Sequence, residues 1–200
     1  MEAGKIPVIG ISGGSAAGKT TLTAKLAAGL DDLRPVILNQ DLYFRVWEDD
    51  ALRTSNHPRA VLWERLVEDV GRLAGGGRIS GPIPGGRPDR TVEAGPGGVL
   101  LVEGHLLLGC AELAPLLDLK VFLDVDPHER VLRRMLRDVG GGTGLEEAVA
   151  WYRRDVLPNY PLYTAPGRDR ADVVLPGGGN GAALGLLAAG IRSLVGGAAA

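Results

Sequence analysis

Gly13-Gly14-Ser15-Ala16-Ala17-Gly18-Lys19-Thr20 is the stretch on which the reading of this sequence turns. Ahead of it, Ile6, Val8, Ile9 and Ile11 form an apolar run that ends in Ser12. Behind it, Leu22, Leu26 and Leu30 recur at helical spacing. Strand, glycine loop and helix is the reading, and in that setting the stretch matches G-x-x-x-x-G-K-[ST] in full, the pattern of a phosphate-binding P-loop. Glycines let successive backbone N–H groups face phosphate oxygens, and the helix N-terminus adds positive potential. Lys19 reaches the outer phosphates and the Thr20 hydroxyl can ligate Mg²⁺. The expected nucleotide-binding set is Gly13, Gly14, Ser15, Ala16, Ala17, Gly18, Lys19 and Thr20, with Thr21 beside it in the first helical turn.

Outward from this loop, four more short apolar runs follow. Pro35 to Asn39 delivers Gln40-Asp41, Val99 to Val102 ends in Glu103-Gly104, Leu119 to Val125 ends in Asp126-Pro127, and Asp172 to Leu175 is a fifth strand. Continuous rather than alternating runs point to a parallel sheet covered on both faces, and ligands gather at the carboxyl ends of such strands. Helices are expected over Leu62 to Leu73, stopped by Gly75-Gly76-Gly77, from Pro127 to the glycines at 140–144, over Leu145 to Leu157, and over Ala182 to Val195. Residues 76–98 are rich in Gly and Pro, with Arg78, Arg87 and Arg90 among them, and read as a long loop or short hairpin that could serve a substrate.

Three groups could carry chemistry with the loop. Glu103, at a strand end, suits Mg²⁺, directly or through water. Asp41 occupies the corresponding place after the second run, with Tyr43 and Phe44 just beyond, and could accept the proton of an attacking hydroxyl. Arg130, Arg133, Arg134 and Arg137 could close over phosphates as a lid, or could be a solvated helix face. His57 and His105 lack the spacing of a metal pair, and Trp47, Trp63 and Trp151 read as packing residues.

Composition bounds the rest. Two hundred residues suit one domain. A net charge of −2 and a pI near 5.9 provide no basic excess for a nucleic acid. The single cysteine, Cys110, allows no intrachain disulfide and fits a reducing compartment, the cytoplasm by default. The apolar start leads into glycines as a buried strand does, and Gly181 to Ile191 is far shorter than the roughly 20 residues a span needs, so no membrane segment is expected.

Taken together, these residues resemble the uridine kinase and ribosylnicotinamide kinase branch of the P-loop kinases, in the phosphoribulokinase/uridine kinase superfamily. The likeness runs from Ile9-Gly10-Ile11-Ser12-Gly13 to Ala171-Asp172-Val173-Val174-Leu175-Pro176-Gly177. It is carried by the P-loop, Asn39-Gln40-Asp41-Leu42-Tyr43-Phe44, His57-Pro58 ahead of a helix, Val102-Glu103-Gly104, and Arg133-Arg134-Met135-Leu136-Arg137-Asp138, with a weaker match over Tyr152 to Val156 and Pro158. The resemblance implies a three-layer α/β/α P-loop fold with a five-stranded parallel sheet, a single kinase domain over 1–200, a substrate loop at 76–98 and a small helical lid at about 130–146. It implies ATP and Mg²⁺, with Thr20 and Glu103 at the metal. It also implies Asp41 as general base, Lys19, Arg134 and Arg137 as catalytic groups, and Tyr43, Asn56 and His57 with Asp41, Arg134 and Arg137 toward the acceptor. Family members are often homo-oligomers.

The sequence departs from that branch where the acceptor is read. Asn56 replaces the usual ribose-binding Asp two residues before Pro58, leaving a neutral amide. Pro82 to Thr91 lacks the Tyr, Phe and His that read a pyrimidine, Trp151 replaces a Gln, and glycines with Thr143 replace the lid's R-G-R. The expected activity is phosphorylation of a nucleoside 5′-hydroxyl, with uridine or cytidine first, and ribosylnicotinamide or another sugar or vitamin precursor as alternatives. A slow nucleotide-gated switch is the alternative of a different class.

Overall fold

The computed structural model describes residues 5–80, 91–177 and 181–198. Strand β1 (Val8–Gly13) runs into the P-loop and helix α1 (Lys19–Gly29), followed by β2 (Pro35–Asn39) and helix α2 (Trp63–Ala74). A two-stranded antiparallel hairpin, β3 (Arg78–Ile79) with β4 (Val92–Glu93), precedes β5 (Val99–Glu103) and β6 (Leu119–Asp124). Helices α3 (Pro127–Gly140) and α4 (Leu145–Trp151), strand β7 (Val173–Pro176) and a C-terminal helix (Gly181–Ala198) complete the order.

The main sheet has the order β2-β5-β1-β6-β7, and each pair in it is parallel. The apolar runs are continuous because each strand has two faces to bury. Leu100 and Val102 of β5 join Val8, Leu38 and the α2 residues Leu66, Val70 and Leu73 in one core. Val99 and Leu101 join Ile9, Ile11, Leu22, Leu26 and Ile191 in the other. Helix α1 and the C-terminal helix therefore cover one face and α2 the opposite one, giving three layers.

Helix α3 starts where Asp126 accepts hydrogen bonds from the backbone N–H of His128 (2.8 Å) and Glu129 (3.2 Å), with Pro127 in the first turn. The helix expected over Leu145 to Leu157 is longer and less regular than its periodicity indicates. After α4 the chain makes a π-helical turn (Tyr152–Val156), a short α5 (Leu157–Asn159) and a second π-helical turn (Tyr160–Thr164). Pro158 and Pro161 have no N–H to return to the preceding turn, which breaks the α ladder. The hairpin alternative for the Gly/Pro-rich segment is the one observed, at 78–79 and 92–93. Residues 81–90, with Arg87, Arg90 and most of the Pro82 to Thr91 stretch, lie outside the described residues. Among the described residues no helix is long and apolar enough to cross a membrane.

Candidate active site

The sheet register brings the first acidic group into place. Ile11 of β1 and Asn39 of β2 both pair with Glu103 of β5, so the P-loop, Glu103 and the Asp41 turn leave adjacent strand ends on the same edge. The P-loop then turns sharply: at Gly13, φ is 144°, and a Cβ there would lie 2.7 Å from the Leu123 carbonyl oxygen. Gly18 precedes α1 at φ 93° with no side-chain cap, and the first turn of α1 has no acidic residue. Its backbone N–H groups are thus left to an anion.

Lys19 Nζ donates to the carbonyls of Gly13 (3.0 Å) and Gly14 (3.1 Å). Burial lowers its pKa to about 8 from 10.5, although the charges of Asp41 and Glu103 pull the other way. Asp41 opens to solvent through the cleft mouth, but the wall behind it desolvates the carboxyl and raises its pKa, against the opposing pull of Lys19 and Arg137. Glu103 is buried and also raised, first by desolvation, while the Thr20 hydroxyl and Lys19 act in the opposite direction. Asn39 Nδ2 donates to Glu103 Oε1 (2.8 Å) and Thr23 Oγ1 to Oε2 (3.4 Å), which orients the carboxylate.

Lys19, Thr20, Asn39, Asp41 and Glu103 line a cleft of about 530 Å³ whose wall also includes Ser15, Phe44, Ser55, Asn56, His105, Arg133, Arg134 and Arg137. Arg134 Nη1 donates to Ser15 Oγ (2.7 Å) and its Nε lies 3.1 Å from Asp138 Oδ2, tying α3 to the P-loop. Burial lowers the Arg134 pKa. The arginine row divides. Arg133, Arg134 and Arg137 reach the cleft, whereas Arg130 is buried, donates to the Val125 carbonyl (3.1 Å) and stacks over Tyr160 at 4.0 Å. Gly14 makes room for it, because a Cβ there would collide with the Arg130 guanidinium.

Two expected acceptor residues lie elsewhere. Tyr43 is fully buried and donates to Asp69 Oδ2 (2.9 Å) on α2, where Arg65 also pairs with Asp69 (3.0 Å). It belongs to the core, and its neighbour Phe44 takes the cleft position, because the 3-10 turn Gln40–Tyr43 directs the first ring inward. His57 is not among the cleft-lining residues: its Nδ1 accepts from Arg59 N–H (3.1 Å), and its Nε2 lies 3.0 Å from the Tyr163 hydroxyl. Asn56 is in the wall, but its Nδ2 donates to Asp155 Oδ2 (2.8 Å) and Ser55 Oγ (3.1 Å), so its hydrogens are spent inside the protein.

Cleft or supporting residues to which the sequence assigned no such place are Asn39, Phe44 as a wall residue, Ser55, His105 and Asp155. Position was the available signal for Asn39 and His105, each within two residues of a strand end that already carried an acidic candidate. Nothing local marks Asp155, which meets its partners from about a hundred residues away in the chain.

A metal could be held by hard oxygen donors, the Thr20 hydroxyl and the Glu103 carboxylate. Among the described residues no group of three or more His, Cys, Asp or Glu forms a protein cage. That donor set fits Mg²⁺, which keeps waters and takes further oxygens from phosphates.

The phosphoribulokinase/uridine kinase family matches residues 8–182. A uridine kinase of Macrococcus caseolyticus is 31% identical over 202 residues, covering 96% of this chain and 98% of the relative. One of Limosilactobacillus reuteri is 34% identical over 94% of this chain and 91% of its own. A solved structure of a possible uridine kinase from Bacillus stearothermophilus superposes with a TM-score of 0.55 at 20% identity, covering 88% of this chain and 91% of that one. Phosphoribulokinase from Rhodobacter spheroides does so at 0.59 and 16%, covering 86% and 70%. At such identities the structures support the shared fold alone, whereas the sequence match spans nearly the whole chain. The chain belongs to the phosphoribulokinase/uridine kinase family.

Proposed function

We propose that this chain is a single-domain ATP-dependent kinase that transfers the γ-phosphoryl group to a primary hydroxyl of a nucleoside, with uridine or cytidine as first acceptors. The observation that carries the reading is the meeting of Lys19 and Asp41 across one cleft: a lysine on the phosphate loop, and a desolvated carboxylate that feels its charge.

The P-loop N–H groups and the open N-terminus of α1 hold the triphosphate, and Lys19 shifts from the loop carbonyls to its outer oxygens. Arg134 and Arg137 face the same phosphates from α3, screen the charge that develops in transfer and exclude water. Asp41 orients the acceptor hydroxyl in line and takes its proton; desolvation raises the basicity it brings to that task. Thr20 and Glu103 would hold Mg²⁺, which when bound neutralises phosphate charge. A single cysteine agrees with a cytoplasmic setting.

The test is acceptor-dependent ADP release from ATP-Mg²⁺ across uridine, cytidine, ribosylnicotinamide, pantothenate and simple sugars. Release with a pyrimidine nucleoside supports the proposal. Release with another acceptor moves the chain to that substrate on the same machinery. Hydrolysis indifferent to every acceptor turns the reading to a nucleotide-gated switch.

A further inference from the structure

Asp155, on the π-helical turn after the lid, is 2% exposed and gathers the donors of the 54–56 loop. Its Oδ1 accepts from Thr54 Oγ1 and from Asn159 Nδ2 (3.2 Å). Its Oδ2 accepts from Ser55 N (2.9 Å), Ser55 Oγ (3.2 Å) and Asn56 Nδ2 (2.8 Å). Desolvation alone would raise the pKa of this carboxyl, but the donors from Thr54, Ser55 and Asn56 outweigh it and hold the group below its ordinary value.

An ionised carboxylate only accepts hydrogen bonds, so the Asn56 atom that faces it is the amide nitrogen. The second amide hydrogen goes to Ser55 Oγ at 3.1 Å. Asn56 Oδ1 is left with no partner among the described residues. Across the same wall, His105 Nε2 lies 2.8 Å from the Ser55 carbonyl, which can only accept, so Nε2 carries the proton. Its Nδ1 has no partner among the described residues. Every side-chain donor of Ser55 and Asn56 is committed inside the protein, while both residues line the cleft.

We propose that Asp155 is a positioning residue for the acceptor site: it locks Asn56 with the carbonyl oxygen toward the ligand, so that Ser55 and Asn56 present only hydrogen-bond acceptors to the cleft. The bound molecule must then supply the donors, as a pair of sugar hydroxyls does. A ligand edge made of lone pairs leaves buried acceptors unpaired and is rejected. The ligand class rests on the kinase reading, whereas the polarity of the wall rests on the hydrogen bonds themselves.

The experiment compares Asn56→Asp, Asp155→Asn and the double variant with wild type, reading the thermal midpoint and the KM for uridine and for ATP. Asn56→Asp sets two carboxylates against each other and lowers the midpoint. Asp155→Asn raises the uridine KM about tenfold and leaves the ATP KM within about twofold. The double variant again faces one carboxylate with one amide and recovers both losses. Additive losses, or a lower midpoint in Asp155→Asn with an unchanged uridine KM, overturn the positioning role. In wild type, 2′-fluoro-2′-deoxyuridine, which accepts but cannot donate at that carbon, raises KM about tenfold over uridine; equal KM values overturn the polarity. If wild type releases no ADP with uridine, the nucleoside reading fails. The Asp155–Asn56 pairing is then decided by the midpoints, expected to fall in Asn56→Asp and to recover in the double variant. No recovery in the double variant overturns it.

Discussion

Asn39 Nδ2 donates to Glu103 Oε1 over 2.8 Å, joining the carboxyl ends of two neighbouring parallel strands beneath the P-loop. Because that bond holds one oxygen of the carboxylate, the geometry presented to a metal is set before any ligand arrives. Glu103→Gln keeps the shape but removes the charge. The Mg²⁺ concentration for half-maximal ADP release should rise about tenfold or more, with the ATP-binding fold intact. A magnesium titration of initial rates checks this, and an unchanged midpoint would take Glu103 out of the metal site.

The pH profile should have limbs from two displaced groups. Asp41 is raised above 3.8, so its base form is lost on the acid side at a higher pH than for an ordinary aspartate. Lys19 is lowered from 10.5 to about 8, so its charge is lost on the alkaline side near that value. In the free enzyme kcat/KM should rise through the first and fall through the second. Asp41→Asn should remove the acid limb and cut transfer by roughly 10²-fold, with ATP affinity near that of wild type. Full activity in this variant would remove the general-base role.

Stability should respond to Lys19 with a definite sign. The unfolded chain keeps this proton to a higher pH than the folded one, so between about pH 8 and 10.5 the unfolded state binds more protons and the contribution of Lys19 to stability improves as pH rises. Lys19→Met should abolish that part of the slope in denaturant titrations, and should also abolish turnover. A slope identical to wild type would mean that the folded lysine is not displaced.

Tyr43→Phe should cost stability and spare catalysis. It removes the hydroxyl bonded to Asp69 inside the core, at about 1–3 kcal/mol. Urea melts should show that loss while the KM values for ATP and acceptor stay level. A selective rise in acceptor KM would put Tyr43 back at the substrate.

Arg134→Ala should weaken ATP more than acceptor. The side chain bridges α3 to Ser15 of the P-loop, and removing it breaks that bridge, leaves Asp138 to Arg137 alone and leaves the phosphates less screened. A rise of about tenfold in the KM for ATP with a fall in kcat is expected. A change confined to the acceptor KM would argue against the lid role.

Much of this site was legible along the chain. A P-loop is contiguous, so its eight residues, the preceding apolar run and the leucines of α1 declare strand, turn and helix through local sterics and periodicity. Glu103 and Asp41 could be found because each directly follows an apolar run, and parallel strands place all such ends on one edge. What sequence could not decide was orientation and pairing. Tyr43 and Phe44 are adjacent and both aromatic; a 3-10 turn, with Asp69 waiting on α2, sends the first inward and leaves the second in the cleft. The four arginines of α3 look alike in sequence, yet packing against Gly14 and Tyr160 buries Arg130 and turns three others to the cleft. Asn56 reads as a lost charge on its own. Only the fold shows that a carboxylate from a distant turn faces it, because hydrogen-bond partners separated by about a hundred residues are chosen by packing and not by spacing.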